Sequence, residues 1–131
     1  MLSIKKYRET DWEQLLELIQ REGDEWSDYT SKGTRDAYSE AVRDSETFIA
    51  FEENQLVGFC RCRVDGIFGV YIYDLLVDQP YRGRKIAQQL MEHVCSSFSE
   101  KIVYVMSDVD DFYAGKGYRK EGSIFEVKIA E

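Results

Sequence analysis

The chain has 131 residues, 44% of them hydrophobic, which reads as one domain with a real core. Its formal charge of −8 and pI near 4.7 argue against sequence-independent nucleic-acid binding, which needs a basic face. No apolar run approaches the roughly 20 residues that span a bilayer, and the N-terminal stretch lacks the apolar core of a signal peptide, so the expectation is a cytoplasmic protein with neither nucleic-acid nor membrane partners.

Leu2 to Tyr7 alternates as a short first strand, with Lys5 and Lys6 marking an edge or a strand end. Thr10 to Glu13 has the Thr-x-x-Glu spacing of a capping box, and Trp12, Leu15, Leu16 and Ile19 follow at helical spacing, predicting a helix with one inward face. From Arg21 to Thr34 the periodicity fails. That segment interleaves Glu22, Asp24, Glu25 and Asp28 with Trp26 and Tyr29. It reads either as a solvated acidic loop with a tucked-in aromatic, or as a loop whose carboxylates and ring faces attract a cationic amine. Thr34 then caps a second helix through Val42, with Ala37, Tyr38, Ala41 and Val42 inward.

Thr47–Phe51 and Leu56–Val64 read as strands around a turn at Glu53-Asn54. In the second, Cys60, Cys62 and Val64 share one face and Arg61 and Arg63 the other. Asp65-Gly66 is a two-residue hairpin signal that launches a long strand, Ile67 to Val77, inside which Gly69 marks a bulge or a close approach. Three cysteines without CxxC spacing indicate reduced thiols; a Cys60/Cys62/His93 metal site is conceivable, but buried thiols acting as small hydrophobes fit better, and no metal is expected.

The stretch Asp74–Phe98 organises the chain. Leu75-Leu76-Val77 ends a strand, Asp78-Gln79-Pro80 breaks it, and Tyr81-Arg82-Gly83-Arg84-Lys85 carries three cations in four residues. Ile86, Leu90, Val94 and Phe98, with Ala87 and Met91 beside them, then make a helical stripe. A glycine-containing basic turn at a helix start suits a phosphate, because free N–H groups and the helix dipole face the anion. Lys101–Met106 is an apolar run, so strand, turn, helix and strand form a right-handed βαβ unit with its two strands parallel. Ligands of such sheets bind beyond the strands' carboxyl ends. Ser107 or Asp108 can cap a short helix ended by Gly115 or Gly117, and Ile124, Val127 and Ile129 suggest a closing strand within Gly122–Ile129.

Arg82-Gly83-Arg84-Lys85-Ile86-Ala87 resembles the pyrophosphate-binding motif Gln/Arg-x-x-Gly-x-Gly/Ala of the GNAT superfamily of acyl-CoA-dependent N-acetyltransferases, with Lys85 where the pattern has glycine. Right-handed dihedrals at Lys85 would make glycine unnecessary; positive φ would strain the position. Phe112-Tyr113 followed by Gly117-Tyr118 resembles the Phe-Tyr-x-x-x-Gly-Phe/Tyr signature of the same family, and Met106 stands where an asparagine often precedes the tyrosine. Element order agrees along nearly the whole chain. The resemblance implies a single α/β (α+β) domain over residues 1–131, with a mixed, mostly antiparallel sheet of six to seven strands, one parallel βαβ unit and helices on both faces.

It further implies acetyl transfer from acetyl-CoA to an amine. The backbone of Leu75, Leu76 and Val77 would hold the pantetheine arm, with a strand-end amide facing the oxyanion, and Arg82 with Gly83, Arg84, Lys85, Ile86, Ala87 and Gln88 would hold the pyrophosphate. Tyr113 would be the general acid for the leaving thiol. Since an alkyl ammonium has a pKa of about 10, a base is also needed. Asp74 is the carboxylate nearest the strand end, acting directly or through water, or else a hydrogen-bonded structural aspartate; Asp108, Asp110 and Glu126 remain open. Glu25, Trp26, Asp28 and Tyr29 are candidate acceptor contacts, because the family's acceptor site lies near this loop. The acceptor is a small-molecule amine, with a protein N-terminus or lysine as the next choice, and a homodimer is a family-based expectation. A non-catalytic acyl-CoA-binding domain is the alternative; a P-loop hydrolase lacks its Gly-Lys-Ser/Thr.

Overall fold

The computed structural model describes residues 1–130. Five strands, β1 (Leu2–Lys6), β2 (Glu46–Glu52), β3 (Gln55–Asp65), β4 (Gly69–Val77) and β5 (Val103–Val105), form one sheet in sequential order. β1 to β4 are antiparallel neighbours and β4–β5 is a parallel pair, as the βαβ reading requires.

Two apolar layers sandwich the sheet. On one face α4 (Ile86–Ser97) sets Ile86, Leu90, Met91 and Val94 against Phe48, Cys60, Cys62, Val70 and Ile72. On the other, α1 (Trp12–Glu22) and α3 (Arg35–Asp44) pack Leu15, Leu18, Ile19, Tyr38 and Val42 against Ile49, Phe59 and Leu76. Two glycines permit close approach. A Cβ on Gly58 would lie 3.1 Å from the Leu76 carbonyl oxygen, and one on Gly69 3.0 Å from the Tyr104 ring.

Several expectations need correction. The sheet has five strands, not six or seven. Gly122–Ile129 forms no strand and its apolar side chains are exposed. Helix entry at α1 is a 3-10 turn, Glu9–Asp11, in which Asp11 Oδ2 accepts the Arg8 N–H at 3.0 Å, so the Thr10–Glu13 capping box does not form. Leu18, outside the expected stripe, is fully buried, while Leu16 is half-buried. The hairpin after β3 is longer than two residues, because Ile67 and Phe68 stay in the turn, and β5 is shorter than Lys101–Met106. The acidic loop is partly ordered, as a 3-10 turn (Asp24–Trp26) and α2 (Ser27–Thr30). Cys60 and Cys62 are buried and behave as core thiols, Cys95 is exposed, and His93 packs edge-on to Phe48 at 5.1 Å. No group of metal-ligating side chains occurs among the described residues, and no helix there is long and apolar enough to cross a membrane.

Candidate active site

The site begins where β4 and β5 part. Their pairing runs from Val70–Val103 to Ile72–Val105 and ends with the Met106 N–H on the Ile72 carbonyl at 2.9 Å. On β4 the register slips at Tyr73, which is an extra residue opposite Arg61 and Cys62. This bulge turns both Tyr73 and Asp74 away from the α4 layer. Beyond it, the edge of Tyr73–Val77 that faces β5 has no strand partner. An extended ligand can therefore lie along Leu75, Leu76 and Val77 as a strand would.

That edge leads into the basic turn. A 3-10 turn, Gln79–Tyr81, with proline in its first turn, reverses the chain. The backbone N–H groups of Gly83, Arg84, Lys85, Ile86, Ala87 and Gln88 have no acceptor among the described residues; the ladder of α4 resumes with Gln89 N–H on the Lys85 carbonyl at 3.0 Å. Six consecutive free donors at a helix N-terminus, with two exposed cations among them, suit a polyphosphate. Lys85 itself is left-handed, φ 62° and ψ 23°, so the substitution for glycine sits at a position that favours glycine. Gly83 also has positive φ, 81°.

Not every side chain of the turn faces outward. Arg82 folds back, with Nε donating to the Val77 carbonyl at 2.9 Å and a terminal nitrogen to Glu22 Oε2 at 2.6 Å. Beside it, Arg21 donates to Asp78 Oδ2 at 3.1 Å. These bonds pin the end of α1 to the turn, and they commit both the Arg82 guanidinium and the Val77 oxygen. Arg84 lies over the Tyr81 ring at 5.2 Å.

Tyr113 sits on α5 (Asp110–Ala114), which follows β5. Ser107 orders the helix start, accepting the Val109 N–H at 3.1 Å and hydrogen-bonding Asp110 Oδ1 at 2.8 Å. Lys116, just past the helix, donates to Gln88 Oε1 at 3.2 Å and tethers this segment to the first turn of α4. Tyr113 is half-buried against the α4 layer, with Phe112 edge-on at 5.0 Å and Tyr118 stacked at 6.5 Å. Its hydroxyl makes no hydrogen bond among the described residues and is not sealed from solvent. Burial, then the charge of Asp108, pushes its pKa above the ordinary tyrosine value, so it holds its proton at neutral pH.

Asp74 is buried on the opposite face, and its Oδ2 accepts from Tyr38 Oη and from Arg61 Nε at 2.6 Å each. Arg61 lies over the rings of Tyr38 and Tyr73 at 5.7 and 5.5 Å. Tyr29 lies tilted against Tyr38 at 4.5 Å, and Trp26 packs between Tyr29 and Phe59 at 5.6 and 6.0 Å. Trp26 and Tyr29 thus border the Asp74 network, whereas Glu25 and Asp28 are exposed at the rim. Tyr38, Arg61, Tyr73 and Lys116 did not stand out in the sequence. The pairing of Arg61 with Asp74 lay within reach, because both belong to adjacent strands of one hairpin.

The sheet is thus splayed at its single parallel pair, with a free-amide turn at the mouth of the splay. The chain belongs to the acetyltransferase (GNAT) family, whose pattern matches residues 10–122. The fold is similar to that of an aminoglycoside acetyltransferase from an uncultured soil metagenomic sample, with TM-score 0.76, 23% identity and coverage of 99% of both chains. It also resembles the PaiA N-acetyltransferase of Thermoplasma acidophilum in complex with coenzyme A, with TM-score 0.70 and 18% identity over 92% of this chain and 91% of that one. A chloroplastic GCN5-related N-acetyltransferase 2 of Arabidopsis thaliana is 28% identical over 75 residues, 53% of this chain; the chain spans 29% of that protein's length.

Proposed function

We propose that the protein transfers an acetyl group from acetyl-CoA to a primary amine, most simply that of a small molecule, with Tyr113 as general acid. The observation that carries this reading is the continuous path from the open β4 edge to the six free amides of Gly83–Gln88, with the Tyr113 segment tethered to the same turn through Lys116 and Gln88. Acetyl-CoA, when bound, supplies the thioester carbonyl as electrophile. On the open edge the backbone groups of Leu75 and the N–H of Val77 orient its arm, Leu76 between them being paired to Phe59 of β3, and a free β4 amide faces the oxygen on which charge develops. The amides of Gly83 to Gln88 hold the pyrophosphate, joined by the charges of Arg84 and Lys85, while Arg82 supports the turn from behind.

Tyr113 keeps a proton at Oη for the departing thiolate, in keeping with its raised pKa. Asp74 presents its second oxygen, Oδ1, which takes no hydrogen bond and is not sealed, as the acceptor of the amine proton through a water. Trp26 and Tyr29 offer ring faces to a cationic acceptor, with Glu25 and Asp28 raising its local concentration. The commitment of Asp74 to Arg61 and Tyr38 favours one other reading, acyl-CoA binding without transfer.

Calorimetric titration of acetyl-CoA, with ATP as control, followed by a thiol-release assay over an amine panel separates the two. Binding with CoA release is expected. Binding with no release for any amine supports the non-catalytic reading, and absence of binding overturns both.

A further inference from the structure

Arg61 has more donors than the Asp74 network uses. Its Nε is spent on Asp74 Oδ2 at 2.6 Å and its Nη1 on Ser45 Oγ at 3.2 Å, whose own hydrogen goes to the Ala41 carbonyl at 2.6 Å. Nη2 makes no hydrogen bond among the described residues and is not sealed from solvent. Of the two rings beside the guanidinium, Tyr38 is buried and Tyr73 is 42% exposed, so Arg61 stands at the margin of the α1–α3 layer rather than within it. Arg63 shares the same face of β3 two residues on and is exposed. The carboxylates beside Ser45 are already engaged, Glu46 with Lys6 at 2.9 Å and Asp44 with Arg43 at 3.8 Å.

Arg61 and Arg63 therefore stand next to the oxygen proposed to take the amine proton. An acceptor that is only cationic is repelled by them, and Glu25 and Asp28 offset this only at the rim. An acceptor with an acid close to its amine is attracted instead. Because Asp74 Oδ1 and Arg61 Nη2 belong to one ion pair, both charges of such an acceptor have to sit on neighbouring atoms.

We propose that the acceptor is an α-amino acid, whose carboxylate accepts from Arg61 Nη2 while its amine faces Asp74 Oδ1. The inference rests on the transfer reading above and narrows it. A planar guanidinium can serve two carboxylates at once, since its donors point along different edges. The zwitterion lies antiparallel to the Arg61–Asp74 pair, so its two charges are met without adding net charge to a half-buried site. A polycationic acceptor or a lysine side chain of a protein has no acid at that spacing.

Calorimetry in the presence of CoA, comparing each amino acid with the amine left by removing its carboxylate, tests this: phenylalanine with phenethylamine, tyrosine with tyramine, lysine with cadaverine. The acid-bearing member of at least one pair is expected to bind about tenfold more tightly, the effect of one hydrogen bond between charged groups. Arg61→Lys keeps a cation for Asp74 but has no second nitrogen to offer, and should bring the two members of that pair within about threefold. Equal or weaker binding of the acid in every pair, no binding of either member in any pair, or a preference that survives Arg61→Lys overturns the proposal. Should that variant not fold, the amino acid's carboxamide decides on the unaltered protein: weaker binding by about tenfold supports the charged contact, and equal binding overturns it. Thiol release keeps this inference separate from the transfer reading. Preferential binding without release overturns transfer and leaves the Arg61 site standing, whereas release with the decarboxylated amines at equal or higher kcat/KM upholds transfer and overturns the α-amino acid as acceptor.

Discussion

Arg61 Nε donates to Asp74 Oδ2 at 2.6 Å across the β3–β4 ladder, and the pair is almost wholly removed from solvent, with side-chain exposures of 14% and 7%. Removing one member of such a pair strands the other charge in a poor solvent. Asp74→Ala is therefore expected to lower stability by about 3–5 kcal/mol, measured by urea denaturation. An Asp74→Ala/Arg61→Met double variant should recover part of that loss. If it recovers stability but not turnover, Asp74 acts in the chemistry as well as in the fold.

Tyr38 makes the third member of this network and gives it a pH signature. Burial, then the Asp74 charge and hydrogen bond, push its hydroxyl far above the ordinary value of 10.0. Between those two values the folded protein retains a proton that the unfolded chain has lost. The contribution to stability is therefore complete below about pH 10 and declines as pH rises beyond it. Tyr38→Phe should flatten the alkaline slope of unfolding free energy between pH 9 and 11, and cost about 1.5–3 kcal/mol at neutral pH for a lost bond to a carboxylate. Urea melts at several pH values measure both.

How far the sequence reached can be seen in the two stretches flanking the cleft. The α4 stripe and the βαβ order were readable because a period of 3.6, a proline break and a basic turn are local signals, and the structure buries Ile86, Leu90, Met91 and Val94 as that period requires. Arg82 shows the limit. Its residue type suits phosphate, but its guanidinium is committed to Val77 and Glu22, a choice made by the end of α1, 60 residues away. The bulge at Tyr73 was equally hidden, since register between strands is a tertiary property that no single strand encodes. The closing strand expected at Gly122–Ile129 does not form: its apolar residues alternate, but a strand also needs a partner, and among the described residues this backbone makes no hydrogen bond.

Lys85 stands at φ 62°, where a side chain costs about 1–2 kcal/mol relative to the right-handed region. Lys85→Gly removes that strain but restores unfolded-chain entropy of about 0.4–1 kcal/mol, so a net gain in stability below about 1.5 kcal/mol is expected from thermal melts. The same change deletes a cation from the turn. Affinity for acetyl-CoA should fall no more than about fivefold at low salt, since an exposed charge is worth at most about 1 kcal/mol, and the difference should shrink in calorimetry at high ionic strength.

Tyr113 offers a test of mechanism independent of stability. A tyrosine acid works only while protonated, and burial followed by the Asp108 charge raises this hydroxyl above its usual value. The rate should hold on the alkaline side up to at least pH 10 and decline beyond it. Tyr113→Phe is expected to lower kcat by about 10²-fold or more, with acetyl-CoA affinity nearly unchanged. Wild-type turnover in the phenylalanine variant would remove the role.

Glu25 and Asp28 sit exposed on the loop whose Trp26 and Tyr29 border the Asp74 network. Carboxylates in that position act on a cationic acceptor through long-range attraction rather than a fixed contact, so their effect is screened by salt. A Glu25→Gln/Asp28→Asn double variant should raise the apparent KM for amines by about two- to fivefold at low ionic strength and leave kcat intact. Near 0.5 M salt, where the Debye length has shrunk to roughly 4 Å, the two proteins should converge. A KM that is the same in both proteins for every amine at low salt would show that the acidic loop plays no part in recruiting the acceptor, and would leave the rings of Trp26 and Tyr29 as its contribution to the cleft.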